Sequence, residues 1–145
     1  MPDPESLDQL RLKIDKLNEQ IVELLNARAR VVVEIGKLKQ TQGAPIYAPD
    51  RERAVLERIR QLNRGPLSDL SMDAVYREIM SGSFALEKPL RIGFLGPEGS
   101  FSHAASVAKF GRSVDYVPLS AIAAVFSPHR PAVTAAMMVV GSLVA

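Results

Sequence analysis

Arg28 is the residue of this sequence that most clearly requires a chemical explanation. It occupies one position of a seven-residue apolar repeat whose other nine positions are aliphatic. Such a repeat predicts a long helix that packs against other helices. A guanidinium inside it is costly unless an anion meets it, so the pattern raises the question of which anion Arg28 binds. The aliphatic positions are Leu7, Leu10, Ile14, Leu17, Ile21, Leu24, Val31, Ile35 and Leu38.

Five more polar residues fall on the apolar faces of predicted helices. Four lie three or four positions from apolar neighbours, and Lys39 lies three turns beyond Arg28, only about 20° from it around the helix axis. Taken singly, each has an ordinary explanation, such as a solvated helix start or a tolerated small residue. Their joint placement on inward faces predicts a site for a small anionic ligand. The five residues are Lys39, Arg51, Glu52, Ser83 and Glu87.

Arg11 is the remaining basic candidate on the first helix. It precedes Arg28 by 17 residues, which is roughly 25 Å along a helix axis. Two arginines that far apart on one helix cannot hold one metabolite, so any contribution of Arg11 must come from a second copy of the chain. Arg28 alone has a competing interpretation, a register-setting residue in a dimer seam that pairs with a carboxylate.

The first helix is predicted from about Ser6 to Thr41, where Gly43 and Pro45 stop it. It would be roughly 50 Å long, whereas a compact domain of about 90 residues is only about 30 Å across. Its own chain cannot cover a seam of that length, which predicts a homodimer.

Two shorter helices follow. The second is expected to start near Pro49 and to end at Gly65. The third follows either Ser68 or Ser71 as its N-cap and is closed by Pro89. The sequence thus predicts an all-α unit with one very long helix and two shorter ones.

After residue 89 the pattern becomes mixed. We expect a buried strand at 90–95, a Gly/Pro loop, a short helix at 101–110 and a second strand at 114–117. This is the start of an α/β domain with fewer strands than a parallel sheet needs. Residues 127–145 end in an apolar stretch shorter than the about 20 residues that cross a bilayer. We expect that tail to be poorly ordered.

Composition excludes several classes of protein. The chain has no cysteine, which rules out disulfides and thiolate chemistry and fits a reducing compartment. Its net charge is +2, but acidic and basic residues balance over 1–88 and no basic stripe with aromatics occurs, so nucleic-acid binding is not expected. The acidic N-terminus has no apolar signal segment, and we expect a cytoplasmic protein that does not bind membranes.

Residues 7–88 resemble the all-helical chorismate mutase domain found at the front of bifunctional chorismate mutase–prephenate dehydratases. This resemblance implies a three-helix mutase domain at 1–89 in an intertwined dimer, with chorismate as substrate, prephenate as product and no metal or cofactor. The matching strings are LRLKIDKLNEQIVELLNARA at 10–29, VEIGKLK at 33–39, DRERAVLERI at 50–59 and YREIMSGSFALEKP at 76–89.

The resemblance also implies roles for the residues that act on the substrate. Arg28 and Arg11 are similar to the two arginines that clamp its carboxylates, Arg11 being supplied by the other subunit. Lys39 is similar to the lysine that bonds a carboxylate and the ether oxygen, which Glu87 also faces. Glu87 can donate a hydrogen bond there only when protonated, a form that burial would have to favour.

Further positions match the lining of the family's pocket. These are Arg51, Ser83 and Glu52, the last facing the ring hydroxyl of the substrate. Some members carry an acid just before the second helix, where this sequence has Ala48. One contact to a hydroxyl is therefore missing or left to Glu52.

Residues 90–126 resemble the opening of the prephenate dehydratase domain, on the strings RIGFLGPEGSFSHAA and LSAIAAVF. The resemblance stops before the Thr-Arg-Phe motif of that domain, so dehydratase activity is expected to be absent and 127–145 is interpreted as a divergent tail. Two alternatives to the mutase stay open: an isochorismate-pyruvate lyase of the same fold, and a non-catalytic helical dimerisation module.

Overall fold

The computed structural model describes residues 6–45, 47–87, 90–121 and 135–136. The predicted fold class is confirmed: three helices are followed by a small α/β segment. The elements in chain order are α1 (Leu7–Gln42), α2 (Pro49–Leu62), α3 (Asp69–Glu87), β1 (Arg91–Leu95), α4 (Phe101–Phe110), β2 (Asp115–Leu119) and β3 (Ala135–Ala136).

Helix α1 is closed at both ends by local interactions that its sequence provides. The hydroxyl of Ser6 accepts a hydrogen bond from the backbone N–H of Gln9, and the Gln9 side chain accepts one from the N–H of Ser6. At the other end Gly43 adopts the left-handed conformation that ends helices, with φ of 65°. The 36 residues between them give a rod of about 54 Å.

The chain leaves most of α1 uncovered. Every residue from Ser6 to Ala27 is exposed, and the seam residue Leu24 has 70% of its surface accessible. Helix α1 packs on α3 only through its C-terminal half, where Val32 and Gly36 are buried. An apolar seam about 30 Å long therefore lies open along the N-terminal half of the helix.

Helices α2 and α3 are joined by a bidentate ion pair. Arg60 donates from Nη2 to Oδ2 of Asp73 at 2.6 Å and from Nε to both carboxylate oxygens at 3.2 Å. These hydrogen bonds, with the charge of Arg60, hold the pKa of the Asp73 carboxyl below its ordinary value. The pair is a direct side-chain link between α2 and α3.

The turn between these helices differs from the predicted one. Helix α2 ends at Leu62 rather than at Gly65, because Asn63 is extended and its amide bonds the carbonyl of Leu67. The cap of α3 is Ser68, whose hydroxyl accepts from the backbone N–H of Ser71. The structure thus decides between the two N-caps that the sequence left open.

The α/β segment forms a parallel sheet in the order β2-β1-β3. Strand β2 begins at Asp115 and continues to Leu119, two residues beyond its predicted end, because it pairs with the whole of β1. The predicted poorly ordered tail, 127–145, lies outside the described residues except for Ala135–Ala136, which pair with Ile92 and Gly93. That pairing adds a third strand to the sheet.

The core of this segment also holds it against the helices. Leu90, Ile92, Phe110 and Val114 form a buried cluster. Tyr47, just before α2, packs edge-on against Phe110 and against Phe84 of α3. No helix in the described ranges is long and apolar enough to cross a bilayer.

Candidate active site

A cavity of about 250 Å³ lies where α1, α2 and α3 meet. Six of the seven predicted site residues line it, which brings together three cations, two carboxylates and one hydroxyl. The apolar part of its wall comes from Val32, Ile35, Val55, Met80 and Phe84, with Ala48 at its edge. The six predicted residues are Arg28, Lys39, Arg51, Glu52, Ser83 and Glu87.

A hydrogen bond to Ser83 holds the guanidinium of Arg28 against helix α3. Its Nη1 donates to Oγ of Ser83 at 2.6 Å, and that hydroxyl donates in turn to the carbonyl of Ile79 at 2.8 Å. Within the described part of the chain, neither Arg28 nor Arg51 is ion-paired with a carboxylate. Two guanidinium groups at one cavity therefore retain their capacity to bind an anion.

Lys39 and Glu87 form the most enclosed ion pair of the site. Nζ of Lys39 lies 2.8 Å from Oε2 of Glu87, with side chains 24% and 9% exposed. Helices α1 and α3 can approach this closely because Gly36 has no side chain. A Cβ at that position would stand only 3.1 Å from Cα of Glu87. The role of a protonated Glu87 as a hydrogen-bond donor to the ether oxygen stays a prediction.

Glu52 has a partner that the sequence reasoning missed. Although it sits in the first turn of α2, Glu52 is only 9% exposed, and its Oε1 accepts from Nζ of Lys109 at 3.0 Å. Burial lowers the pKa of Lys109, but the hydrogen bond and charge of Glu52 outweigh it and raise that pKa overall. Burial, and then the charge of Glu52, also raise the pKa of the nearby Tyr47 phenol.

No local signal could have identified Lys109. It lies in the last turn of α4, 57 residues after Glu52, within the segment assigned to a different domain. A lysine in the last turn of a helix is ordinarily explained by the helix dipole. Only the packing of α4 against α3 brings its side chain to Glu52.

Arg11 is the predicted site residue that the chain does not bring to the cavity. It lies near the start of α1, with its side chain 67% exposed, and pairs with Asp8 at 3.4 Å. Its contribution from a second subunit stays a prediction. Among the described residues no group of three or more histidine, aspartate or glutamate side chains is placed to hold a metal ion.

Comparison with known proteins relates this arrangement to one family. Residues 10–88 match the profile of chorismate mutase type II. The chain is 46% identical to a bifunctional chorismate mutase/prephenate dehydratase of Pseudomonas aeruginosa and 44% identical to that of Stutzerimonas stutzeri, each over 131 residues. Each match covers 87% of this chain and 36% of the relative. The chain thus spans about a third of the length of the curated relatives it matches.

A solved structure agrees with the helical part. The chorismate mutase of Thermus thermophilus (form II) superposes with a TM-score of 0.57 at 37% sequence identity. The superposition covers 58% of this chain and 96% of that one. The match to the family profile, residues 10–88, spans the three helices.

Proposed function

The chain belongs to the type II chorismate mutase family, and we propose on this basis that it rearranges chorismate to prephenate. The observation that carries the proposal is the convergence of six side chains on one cavity, all polar and all from the positions that the sequence singled out. Chorismate is a small dianion, and three of the six side chains are cations. The reaction is an intramolecular rearrangement that needs binding and electrostatic stabilisation rather than a nucleophile.

The two arginines account for binding of the substrate. Arg28 and Arg51 line the cavity without a carboxylate partner in the described ranges, so they are free to meet the carboxylates of a dicarboxylic ligand. Ser83 holds the guanidinium of Arg28 in place before the ligand arrives. Fixing both carboxylates would hold the enolpyruvyl arm over the ring, close to the geometry in which the new bond forms.

Lys39 and Glu87 account for rate acceleration. Negative charge grows on the ether oxygen as its bond to the ring breaks, and a donor placed there stabilises it. The ammonium of Lys39 can donate at ordinary pH, with Glu87 holding it 2.8 Å away. Glu87 itself can donate to that oxygen only in its protonated form.

We propose a homodimer in which the open part of α1 is covered by a second copy. The support is the exposure of all residues from Ser6 to Ala27, a stretch that carries the aliphatic repeat. Arg11 stands roughly 25 Å along α1 from Arg28, too far to serve the cavity of its own chain. In the proposed dimer it would instead act at the cavity of the other subunit.

We also propose the domain division that the sequence predicted. Residues 1–89 would form the mutase domain, 90–126 the opening of a dehydratase domain, and 127–145 a divergent tail. The match of 10–88 to the family profile and the β-α-β order that follows support this division. The absence of cysteine from the sequence supports a cytoplasmic location.

Following chorismate with the purified chain tests the function directly. The proposal expects the ultraviolet absorbance of chorismate to fall while prephenate appears in equal amount. Release of pyruvate from isochorismate, with no change in chorismate, would indicate the lyase. No turnover of either compound by folded protein would leave only a helical dimerisation module.

Subunit complementation tests the shared site. Arg11→Ala and Arg28→Ala should each be nearly inactive, since each removes one clamp from both sites. When the two variants are unfolded and refolded together, a mixed dimer has one intact site, which restores about a quarter of the parental activity. Lack of recovery, although mixed dimers form, would show that Arg11 does not act across subunits.

A further inference from the structure

A residue of the α/β segment reaches the wall of the cavity. Lys109 of α4 pairs with Glu52 of α2 at 3.0 Å, and Glu52 lines the cavity together with Arg51. The side chain of Lys109 is 39% exposed, whereas that of Glu52 is 9% exposed. A partly exposed lysine of α4 therefore pairs with a nearly buried carboxylate at the ligand site.

The backbone of the α/β segment fixes the position of Lys109. The N–H of Ser113 donates to Oγ of Ser81 at 3.0 Å, and the N–H of Arg112 donates to Oε2 of Glu78 at 3.2 Å. At Gly111 the contact is so close that a Cβ would stand 2.6 Å from Cβ of Ser81. Helix α4 thus ends against α3 in one defined position, and Lys109 precedes that contact by two residues.

The charge balance of the cavity depends on this link. Glu87 is neutralised by Lys39 within the site. Among the residues that the structure describes, the ion-pair partner of Glu52 comes from outside the three helices and is Lys109. Without that ammonium, the nearly buried carboxylate of Glu52 would repel an anionic ligand and would compete with it for Arg51. With the ammonium in place, both arginines of the cavity remain available for two carboxylates.

We propose that Lys109 is a positioning residue for the mutase site, which neutralises Glu52 and holds its carboxylate in place at the wall of the cavity. The inference rests on the proposed function and deepens it: the α/β segment contributes to binding of chorismate by the helical domain. Lys109 acts through Glu52 and does not itself touch the substrate.

The first experiment compares steady-state kinetics of the full chain with those of three variants. Lys109→Met keeps the length of the side chain and removes its charge, and the KM for chorismate should rise about five-fold with kcat nearly unchanged. Lys109→Arg should restore the parental KM. The control is Arg112→Met, which removes an exposed positive charge three residues away and should leave both constants unchanged.

The second experiment separates an effect through Glu52 from a general loss of structure. In a Glu52→Gln background the amide carries no charge, so adding Lys109→Met should change KM no further. Thermal unfolding confirms that each variant folds, and Lys109→Gln replaces Lys109→Met if the latter does not.

Three results would overturn the inference. One is a KM for chorismate in folded Lys109→Met equal to that of the parent. Another is an equal rise in KM when Lys109→Met is added to the parent and to Glu52→Gln. The third is failure of Lys109→Arg to restore binding. A parent chain that does not rearrange chorismate at all would overturn the proposed function, and this inference with it.

Discussion

Replacing Arg28 by leucine separates the chemical role of this residue from its place in the helix. The substitution completes the aliphatic repeat of α1 at its only charged position. It leaves no unsatisfied group on α3, because the hydroxyl of Ser83 still donates to the carbonyl of Ile79 at 2.8 Å. We therefore expect Arg28→Leu to be a folded dimer with strongly reduced activity.

The magnitudes follow from the surroundings of Arg28. A partly buried leucine in place of the guanidinium contributes about 1 kcal/mol of apolar burial, so the free energy of unfolding should be equal to or above that of the parent. Loss of one preorganised charged donor to a substrate carboxylate removes about 3 kcal/mol of transition-state stabilisation, or roughly a hundred-fold in kcat/KM.

Three measurements on one preparation test this prediction: chorismate turnover, thermal unfolding and size-exclusion chromatography. The matched control is Arg30→Leu, since Arg30 is exposed and points about 200° away from Arg28 around the helix. It should retain parental turnover. If Arg28→Leu turned over chorismate at nearly the parental rate, or if it changed the oligomeric state, Arg28 would be a packing or register residue and the reasoning would be refuted.

Three further substitutions test other parts of the structure. Glu87→Gln should keep its activity at high pH, where the parent loses it, because an amide donates without taking up a proton; identical pH–rate profiles would contradict a protonated Glu87. Arg60 lowers the pKa of Asp73, so their pair stabilises the fold above the ordinary carboxyl pKa of about 4 and is lost as the pH falls through the lower folded value. Asp73→Asn should therefore melt below the parent at neutral pH, with the difference closing in acid; a difference that persisted in acid would exclude the ion pair as its cause. Leu24→Glu places a charge on the exposed seam and should yield an inactive monomer in analytical ultracentrifugation, whereas an active monomer would rule out the shared site.

Much of the helical unit was predictable because its signals are local. The aliphatic repeat and the Ser6 and Gly43 caps give α1 to within a residue at each end. The site residues were recognisable for a related reason: a charge at an apolar position such as Arg28 or Glu52 breaks the pattern that surrounds it. The end of α2 was less predictable, since the side chain of Asn63 ends the helix before Gly65 is reached.

What the sequence alone determined is which side chains share a face of each helix, because a helix of 3.6 residues per turn assigns each residue to a face. What only the tertiary structure decided is the partner of each one. Ser83 for Arg28, Glu87 for Lys39 and Lys109 for Glu52 lie between 48 and 57 residues apart in the chain. Such pairs depend on the axial offset between packed helices and on the point at which α4 is anchored. Both are set by the packing of whole surfaces, on which the periodicity of a single helix carries no information.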